Sequence, residues 1–473
     1  MKPSRRVSQA LLSLSAAIAV VLGLHAVALA DVSLSHLFSD HMVLQRGREL
    51  PIWGKADAGE TVTVRMAENE ASATADGEGR WQVRLPAMAA GGPHELKIAG
   101  KNQLTIHDVL IGEVWIGSGQ SNMEFGMSRG VLNGKQELAA ANYPRIRLFH
   151  VKRVKSDTPL ADVDAAWASC TPKTVAGFSA VEYFFGRYLH KQLDVPVGLI
   201  ESAWGGTPAE YWVPHSSFEK DSSLFQTSNH PHAKKVMQTP SVLYNGMIAP
   251  LVPYAIQGVI WYQGESNVPM GAYYGKLFSA MIEGWRHEWN QGDFPFLYVQ
   301  IAPWKYSATG RPDEGAALVR EGQLQTLKLK NTGMAVIMDI GNVDNIHPRN
   351  KQDVGLRLGL AARAIAYGEK GLVYSGPIFR SQEIKGDRAV LHFDHVGGGL
   401  MAKDGPLREF QIAGKDGKFV PAEAEIVGET VVVHSPKVKQ PASVRFAWRD
   451  VALPNLFNKE GLPASPFRTS ASN

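Results

Sequence analysis

Residues 109–123 read VLIGEVWIGSGQSNM, an apolar run that ends in a glycine-rich turn. The segment Val109–Ile116 has the largely apolar character of a β-strand that is buried on both faces. Glycines at positions 117 and 119 let the backbone turn sharply out of this strand. Ser121 would then stand at the start of the next helix, with its hydroxyl exposed and the positive end of the helix dipole behind it. That position is typical of a serine that acts as a nucleophile.

Downstream, five further apolar segments alternate with amphipathic stretches of helical period. The predicted strands are Ile146–Val151, Val197–Ile200, Gly258–Tyr262, Phe296–Ile301 and Ala335–Ile340. The predicted helices include Val181–Leu193, Tyr273–Trp289, Val319–Lys330 and Lys351–Tyr367. This alternation predicts an α/β fold over residues 108–370, in which helices flank both faces of a parallel sheet. The active site of such a sheet is expected at the C-terminal ends of its strands.

Segments with a β-strand rhythm lie on both sides of this region. Residues 31–107 contain short apolar or alternating runs, such as TVTV at residues 61–64, between Gly, Asp and Asn residues. These runs predict a small N-terminal β-domain. The same rhythm returns over residues 371–473, for example at Thr430–His434 and Val444–Trp448. It predicts a second β-rich segment, which is either separate or packed with the first.

The first 30 residues have the features of a secretory signal. Lys2, Arg5 and Arg6 precede an apolar stretch from about residue 10 to residue 24, and Ala-Leu-Ala at residues 28–30 supplies a cleavage site. We therefore predict an exported protein, periplasmic or extracellular, with no membrane association after the signal is removed. No later stretch has the roughly 20 uninterrupted apolar residues that a spanning helix needs.

Charge and cysteine content argue against further classes of protein. The net charge is +4, from 49 Lys and Arg residues against 45 Asp and Glu residues, and no long basic run occurs. Nucleic-acid binding is not indicated, because a surface that follows phosphates needs clustered positive charge. Cys170 is the single cysteine. The sequence therefore predicts no intramolecular disulfide and no zinc site built on several cysteines.

A second polar cluster follows the last predicted strand of the sheet. It reads GNVDNIHP at residues 341–348 and contains Asp344 and His347. A serine nucleophile needs a base that takes its proton, and a histidine base needs an acid that fixes its tautomer and stabilises the imidazolium. Because Asp344 and His347 are three residues apart, one loop could supply both groups.

Amide donors follow two other strands. The segment WYQGESN occupies residues 261–267, and WGGT occupies residues 204–207. Side-chain amides and backbone N–H groups can stabilise the oxyanion of a tetrahedral intermediate. Taken singly, each segment is also compatible with a tight turn whose polar side chain caps a helix.

Together these motifs resemble the sialate O-acetylesterase family of the SGNH (GDSL-like) hydrolase superfamily. The matching segments are GQSNM at 119–123, SAWGGT at 202–207, IWYQGESN at 260–267, Asp344, and His347 with Pro348 and Lys351, with HMVLQR at 41–46 and residues 455–464 as further matches. The resemblance covers essentially the whole mature chain. It implies an SGNH-type α/β fold with a flavodoxin-like parallel sheet, and it implies hydrolysis of sugar acetate esters.

The resemblance also assigns roles to individual residues. Ser121 matches the nucleophile, His347 the general base and Asp344 its acidic partner. The implied oxyanion donors are the backbone N–H of Ser121, the N–H of Gly205 or Gly206, and a side-chain amide of Gln263 or Asn267. The family needs neither a metal nor a cofactor.

The expected substrate is an acetylated sugar or glycan. The residues that we predict to bind it lie near the expected site: Trp204, Tyr211, Trp212, Tyr262 and Glu265. A sialic acid needs a cation that faces its carboxylate, and Arg129 and Arg349 are available by position. Acetylated xylan or xyloglucan is the alternative substrate, and the sequence does not decide between them.

Two other classes of function compete with an esterase. One is a catalytically silent carbohydrate-binding protein made of β-modules around an inactive hydrolase core, although all triad positions are filled. The other is a glycosidase, which needs two carboxylates about 5–10 Å apart. Glu265 and Asp344 form the obvious pair for it. The sequence predicts no particular oligomeric state.

Overall fold

A computed structural model describes residues 31–225, 236–312 and 314–469. The predicted signal segment, residues 1–30, lies outside the described residues. The described chain has a mixed α/β region with β-rich segments on both sides of it, which confirms the predicted α/β class.

Short strands make up the N-terminal part of the chain. They are β1 Ser33–Leu34, β2 Val43–Gln45, β3 Leu50–Lys55, β4 Thr61–Met66, β5 Asn69–Thr74, β6 Arg80–Leu85 and β7 Gly91–Ala99. Along β6, exposed and buried residues alternate strictly. This alternation is typical of a strand with one face on a core and the other in solvent.

One long strand, β8 Gln103–Gly119, connects this N-terminal part to the central sheet. Its first residues form an antiparallel ladder with β7, and Leu110–Gly112 pair with β2. Its last residues are completely buried and become a central strand of the parallel sheet. Positions 107 and 108, where we predicted a boundary between two domains, both lie within this strand.

The remaining strands of the central sheet are β9 Tyr143–His150, β10 Trp167–Cys170, β11 Val197–Ala203, β12 Gly258–Tyr262, β13 Phe296–Val299 and β14 Thr332–Ala335. Their spatial order is β10-β9-β11-β8-β12-β13-β14. All neighbours in this path are parallel except β10, which pairs antiparallel with β9. The C-terminal ends of the parallel strands therefore meet at one edge.

The α-helices that position the site and its surroundings include α1 Gly134–Ala139, α2 Pro172–Val175, α3 Ala180–Leu193, α4 His215–Lys220, α5 Gly271–Trp289, α6 Gly315–Thr326 and α7 Lys351–Ile365. Helices α3 and α7 pack together over one hydrophobic core, whereas α5 and α6 pack together over another. Successive residues of the sheet alternate between these cores: Ile260 belongs to the first, and Val259 and Trp261 belong to the second. Helices thus cover both faces of the sheet, as the apolar strands predicted.

The last strand of the sheet differs from the prediction. We predicted Ala335–Ile340, but β14 spans Thr332–Ala335. Residues Val336–Met338 are buried without forming a ladder, because the neighbouring β13 has already ended at Val299. The Arg357 guanidinium instead donates to the Val336 carbonyl oxygen at 2.6 Å. In this segment the continuous run of apolar residues correctly indicated burial, but it did not indicate where the strand begins and ends.

The C-terminal part is built from β15 Ile378–Lys385, β16 Arg388–Asp394, β17 Leu400–Ala402, β18 Phe410–Ala413, β19 Val420–Pro421, β20 Glu423–Val427, β21 Thr430–His434, β22 Ser443–Phe446, β23 Leu456–Asn458 and β24 Phe467–Arg468. Within the described ranges, these strands form ladders only with one another. The fully buried Arg320 of α6 joins them to the α/β unit. Its guanidinium donates to the carbonyl oxygens of Ile301, Ala302, Arg449 and Asp450.

Candidate active site

Three neighbouring strands bring the predicted polar segments together. Strand β8 lies between β11 and β12 in the sheet, so the segments that follow these strands leave the same edge side by side. Two backbone hydrogen bonds fix this arrangement. The Trp204 N–H donates to the Gly119 carbonyl oxygen at 3.0 Å, and the Gln120 N–H donates to the Tyr262 carbonyl oxygen at 3.0 Å.

Ser121 and His347 meet at this edge although they lie 226 positions apart in the chain. The distance from His347 Nε2 to Ser121 Oγ is 2.9 Å. The ring of Phe125 stacks on the imidazole, with centroids 5.9 Å apart. Burial lowers the pKa of His347, and the charges of Lys351 and Arg129 lower it further. An unprotonated imidazole in contact with a serine hydroxyl is the arrangement that general-base catalysis needs.

Asp344 lies on the same loop but does not contact His347. Its carboxylate forms an ion pair with the Lys305 ammonium, and its side chain is 71% exposed. In the described part of the chain, Ser121 Oγ is the one hydrogen-bond partner of the His347 ring. The predicted contact between Asp344 and His347 is therefore absent from this conformation, because Lys305 binds the carboxylate instead.

The predicted backbone donors differ in availability. The Gly205 N–H donates to Glu124 Oε2 at 2.7 Å, so it is occupied. A Cβ at this position would lie 2.9 Å from Glu124 Oε2 and 3.2 Å from Ser121 Cβ, so these neighbours would have to shift to admit a side chain. Gly206 adopts a left-handed conformation with φ of 74°. Among the described residues, nothing accepts from the N–H groups of Ser121 and Gly206.

The two predicted amide donors belong to an enclosed network. Gln263 and Asn267 are fully buried. The Gln263 amide donates to the Thr207 carbonyl oxygen at 3.2 Å and to Asn267 Oδ1 at 2.7 Å. The Asn267 amide donates to Glu210 Oε2 at 2.9 Å. Both amides thus bind protein atoms, and a role for either as oxyanion donor would require this network to rearrange.

Only part of the predicted substrate-binding set is accessible. Trp212, Tyr262 and Glu265 are buried, which argues against direct contact between these residues and a sugar. Trp204 and Tyr211 are partly exposed. The Lys155 ammonium lies 5.5 Å from the Trp204 ring centroid and 5.6 Å from the Tyr211 ring centroid. This edge of the site therefore combines aromatic faces with a positive charge.

Sequence reasoning gave no role to Asn122, which contacts both sides of the site. Its amide donates to Glu265 Oε1 at 2.7 Å and to the Ile346 carbonyl oxygen at 2.9 Å. It accepts a hydrogen bond from the Lys351 ammonium at 2.6 Å. Asn122 and Lys351 lie in segments that resemble the family, but only the structure shows that they contact each other.

The described residues contain no group of three or more His, Cys, Asp or Glu side chains that is arranged to hold a metal ion. In the same part of the chain, every helix is too short or too polar to cross a bilayer.

Comparison with known proteins shows a consistent relationship. Residues 111–366 match the family described as "Carbohydrate esterase, sialic acid-specific acetylesterase". The sialate O-acetylesterase of Homo sapiens is 32% identical over 482 residues, which covers 92% of this chain and 91% of that protein. The enzyme of the same name from Rattus norvegicus is 33% identical over 445 residues, 80% of each chain. A crystal structure of a carbohydrate acetylesterase from Xanthomonas citri is 42% identical, with a TM-score of 0.86, and covers 93% of this chain and 100% of that chain.

Proposed function

Because the chain belongs to the sialic acid-specific acetylesterase family of carbohydrate esterases, we propose that it is an exported sialate O-acetylesterase with a serine nucleophile. Its class as an ester hydrolase follows from the family itself. One observation above all supports the serine mechanism, namely the 2.9 Å contact between His347 Nε2 and Ser121 Oγ. The composition of residues 1–30 supports export to the periplasm or the extracellular space.

The reaction proceeds in two acyl-transfer steps. Ser121 Oγ attacks the acetyl carbonyl carbon while His347 Nε2 accepts the hydroxyl proton. The imidazolium then donates this proton to the sugar oxygen, the ester bond breaks, and an acetyl-serine ester remains. Water attacks the acetyl-serine by the same route and releases acetate. Because its pKa is lowered, the His347 ring is unprotonated near neutral pH and ready to act as a base.

Asp344 completes the triad once it leaves Lys305. It is exposed and lies three residues before His347 in the same loop, so a movement within this loop would bring it to the imidazole. Hydrogen bonds between catalytic groups are often loose in the absence of substrate and tighten in the reacting complex. In the triad, the Asp344 carboxylate would hold the Nδ1–H tautomer of His347 and stabilise the imidazolium.

Oxyanion stabilisation falls to donors that are still free beside the nucleophile. The N–H groups of Ser121 and Gly206 meet this condition. The Gln120 amide is a third donor. Its oxygen accepts from the Ser266 N–H at 3.2 Å, while its nitrogen has no partner among the described residues and is not one of the enclosed unpaired atoms. A donor that is fixed on one side and open on the other suits a developing negative charge.

The finer fold assignment is an SGNH-type, flavodoxin-like sheet. The path β11-β8-β12-β13-β14 supports it. When these five strands are numbered by their position in the chain, their spatial order is 2-1-3-4-5, which is the flavodoxin-like order. Strands β9 and β10 then extend this sheet at one edge.

Lys155 favours a sialate ester over the acetate esters of neutral glycans such as xylan or xyloglucan. Its ammonium lies beside the two accessible aromatic rings, Trp204 and Tyr211. A sugar ring that stacks there would bring a carboxylate close to a positive charge, which a neutral xylosyl unit cannot use. Lys155→Met should therefore reduce kcat/KM for acetylated sialosides more than for acetylated xylo-oligosaccharides.

The experiment that tests the proposal is acetate release from acetylated sialosides, xylo-oligosaccharides and xyloglucan, by the wild type and by Ser121→Ala. We expect wild-type turnover, greatest on sialosides, and a loss of roughly 10⁶-fold in kcat in the variant. Absence of wild-type turnover would favour a carbohydrate-binding protein. Shortening of the glycan without acetate release would favour a glycosidase. Turnover that survives in Ser121→Ala would remove the serine mechanism.

A further inference from the structure

A buried polar chain lies directly beneath the contact between Ser121 and His347. Lys351 at the start of α7 is fully buried, and its ammonium donates to Asn122 Oδ1 at 2.6 Å. The Asn122 amide then donates to Glu265 Oε1 at 2.7 Å. Ammonium, amide and carboxylate thus follow one another without solvent between them. The reaction described above uses none of the three.

Lys351 stands at an unfavourable position for a cation. Burial lowers its pKa to about 7, although the charge of Glu265 raises it. The first turn of a helix carries the positive end of the helix dipole, which disfavours a further positive charge. Apolar residues of similar volume usually stabilise such an interior at least as well as a buried charge does. The ammonium therefore requires an explanation other than the stability of the fold.

The geometry of Asn122 supplies that explanation. Asn122 follows the nucleophile in the chain, and its amide also donates to the carbonyl oxygen of Ile346 at 2.9 Å. Ile346 directly precedes His347. One side-chain amide thus connects the residue next to the nucleophile with the residue next to the base. Lys351 and Glu265 hold the two ends of this amide, and so they fix its orientation.

Lys351 also reaches the ring behind the base. Its ammonium lies 5.0 Å from the Phe125 ring centroid and 5.2 Å from the Tyr262 ring centroid. Phe125 in turn stacks on the His347 imidazole at 5.9 Å. The ammonium therefore supports His347 by two routes, one through the Asn122 amide and one through the Phe125 ring.

We propose that Lys351 and Asn122 are positioning residues of the hydrolysis, which hold the nucleophile turn and the His347 loop at the reacting distance. This inference rests on the proposed function. Glu265 is the third member, and it acts by orienting the Asn122 amide. A misplacement of about 1 Å between reacting groups costs on the order of 10²-fold in rate, so loss of the amide's orientation lowers kcat.

The charge of Lys351 adds an effect that pure packing would not produce. The charged and titratable groups around this cluster include Lys351, Glu265, Arg129, Arg311 and the buried Tyr262 and Tyr306. Lys351 and Arg129 lower the pKa of His347. Because the unprotonated ring is the base, kcat/KM falls as the pH drops through this pKa. Removal of the Lys351 charge must therefore move this acid limb to higher pH.

The test compares Lys351→Met, Lys351→Gln and the exposed control Lys328→Met in the full chain, with p-nitrophenyl acetate as substrate. We expect Lys351→Met to lower kcat about 10²-fold with KM within about threefold of wild type, and to move the acid limb of kcat/KM to higher pH. Lys351→Gln can still donate a hydrogen bond to Asn122, so its kcat should lie between those of Lys351→Met and the wild type. Because it lacks the charge, its acid limb of kcat/KM should stay at the higher pH. Lys328→Met should match the wild type.

Thermal unfolding and near-UV circular dichroism check the fold of each variant, and Lys351→Gln decides the question if Lys351→Met does not fold. Wild-type kcat together with an unmoved acid limb in a folded Lys351 variant would overturn the inference. If the proposed function itself were wrong, the wild type and Ser121→Ala would show the same rate of ester hydrolysis. An active wild type, an inactive Ser121→Ala and an unaffected Lys351→Met would reject only the positioning role.

Discussion

Two groups compete for the Asp344 carboxylate, namely the Lys305 ammonium and the His347 imidazole. If the carboxylate reaches His347 during turnover, Asp344→Asn should lower kcat by up to about 10⁴-fold, because the amide favours the wrong imidazole tautomer. Lys305→Met removes the competing partner and should leave kcat equal to the wild-type value or higher. Steady-state acetate release measures both. A kcat for Asp344→Asn within twofold of wild type would indicate a Ser-His dyad in which Asp344 has no part.

Gln120 and Gln263 offer a second test among single residues. Gln120→Ala should lower kcat by about 10²–10³-fold with little change in KM, which is the usual cost of one lost oxyanion donor. Gln263→Ala removes an amide that binds Thr207 and Asn267, so its main effect should be a lower melting temperature. Kinetics and thermal unfolding of the two variants separate these roles. If Gln263→Ala lowered kcat and Gln120→Ala lowered only the melting temperature, Gln263 would be the oxyanion donor.

Local chemistry in the sequence predicted where polar groups follow strands, but not where each side chain points. The proximity of Ser121 and His347 could be predicted, because each follows a predicted strand and the C-terminal ends of parallel strands meet at one edge of the sheet. The burial of Gln263 depends on Thr207, that of Trp212 on helix α5 and that of Tyr262 on the core shared with α3 and α7, all of which lie outside residues 261–267. No pattern within a seven-residue motif contains that information.

Between helix α3 and strand β11, two buried carboxyl groups face each other across Gly117. Burial raises the pKa of Glu201 to about 8, and burial together with the proximity of Glu201 raises the pKa of Glu182 well above its usual value. The protonated forms are thus favoured in the folded state. As pH rises from the ordinary value near 4.5 toward 8, the unfolded chain loses protons that the folded chain keeps, so stability falls.

Glu182→Gln supplies a neutral side chain of the same shape and should weaken this pH dependence. We expect its melting temperature to exceed the wild-type value at pH 8–9, by a margin that shrinks toward pH 5. Glu429→Gln, a change at an exposed site, is the matched control and should follow the wild type. Scanning calorimetry at several pH values measures the effect. Parallel curves for wild type and Glu182→Gln would show that the pair does not control stability.

Element bounds followed from periodicity where both ends had a local cause. Helix α3 begins one residue before the predicted start and ends on the predicted residue. Ser179 caps its start, and Asp194 follows its end in a left-handed conformation. Strand β14 was misplaced because its end depends on the length of β13. The continuity of β8 was also missed, because the change in rhythm near residue 108 reflects new neighbours of the strand rather than a break in it.

For the molecule as a whole, Arg320 is a fully buried polar connection between the α/β unit and the C-terminal part. Arg320→Met would remove this donor from its four carbonyl partners. Each carbonyl oxygen that stays buried without a hydrogen bond lowers the free energy of unfolding by about 1–3 kcal/mol. We expect a loss of at least about 3 kcal/mol in the free energy of unfolding, measured by urea denaturation. Arg468→Met breaks a partly exposed ion pair with Glu321 and a cation–π contact with the Trp448 ring, and it should cost about 0–2 kcal/mol. Equal losses would show that the buried Arg320 contributes no more to stability than this partly exposed contact.

Strand β8 has a consequence for attempts to recombine this enzyme with other modules. Side chains along a strand alternate between its two faces. One inserted or deleted residue within Gln103–Gly119 would therefore move every strand side chain on one side of that position to the opposite face of the sheet. Either the N-terminal sheet would turn its apolar face outward, or the serine would point into the protein interior. Grafted modules must therefore be spliced in steps of two residues, or outside this strand altogether.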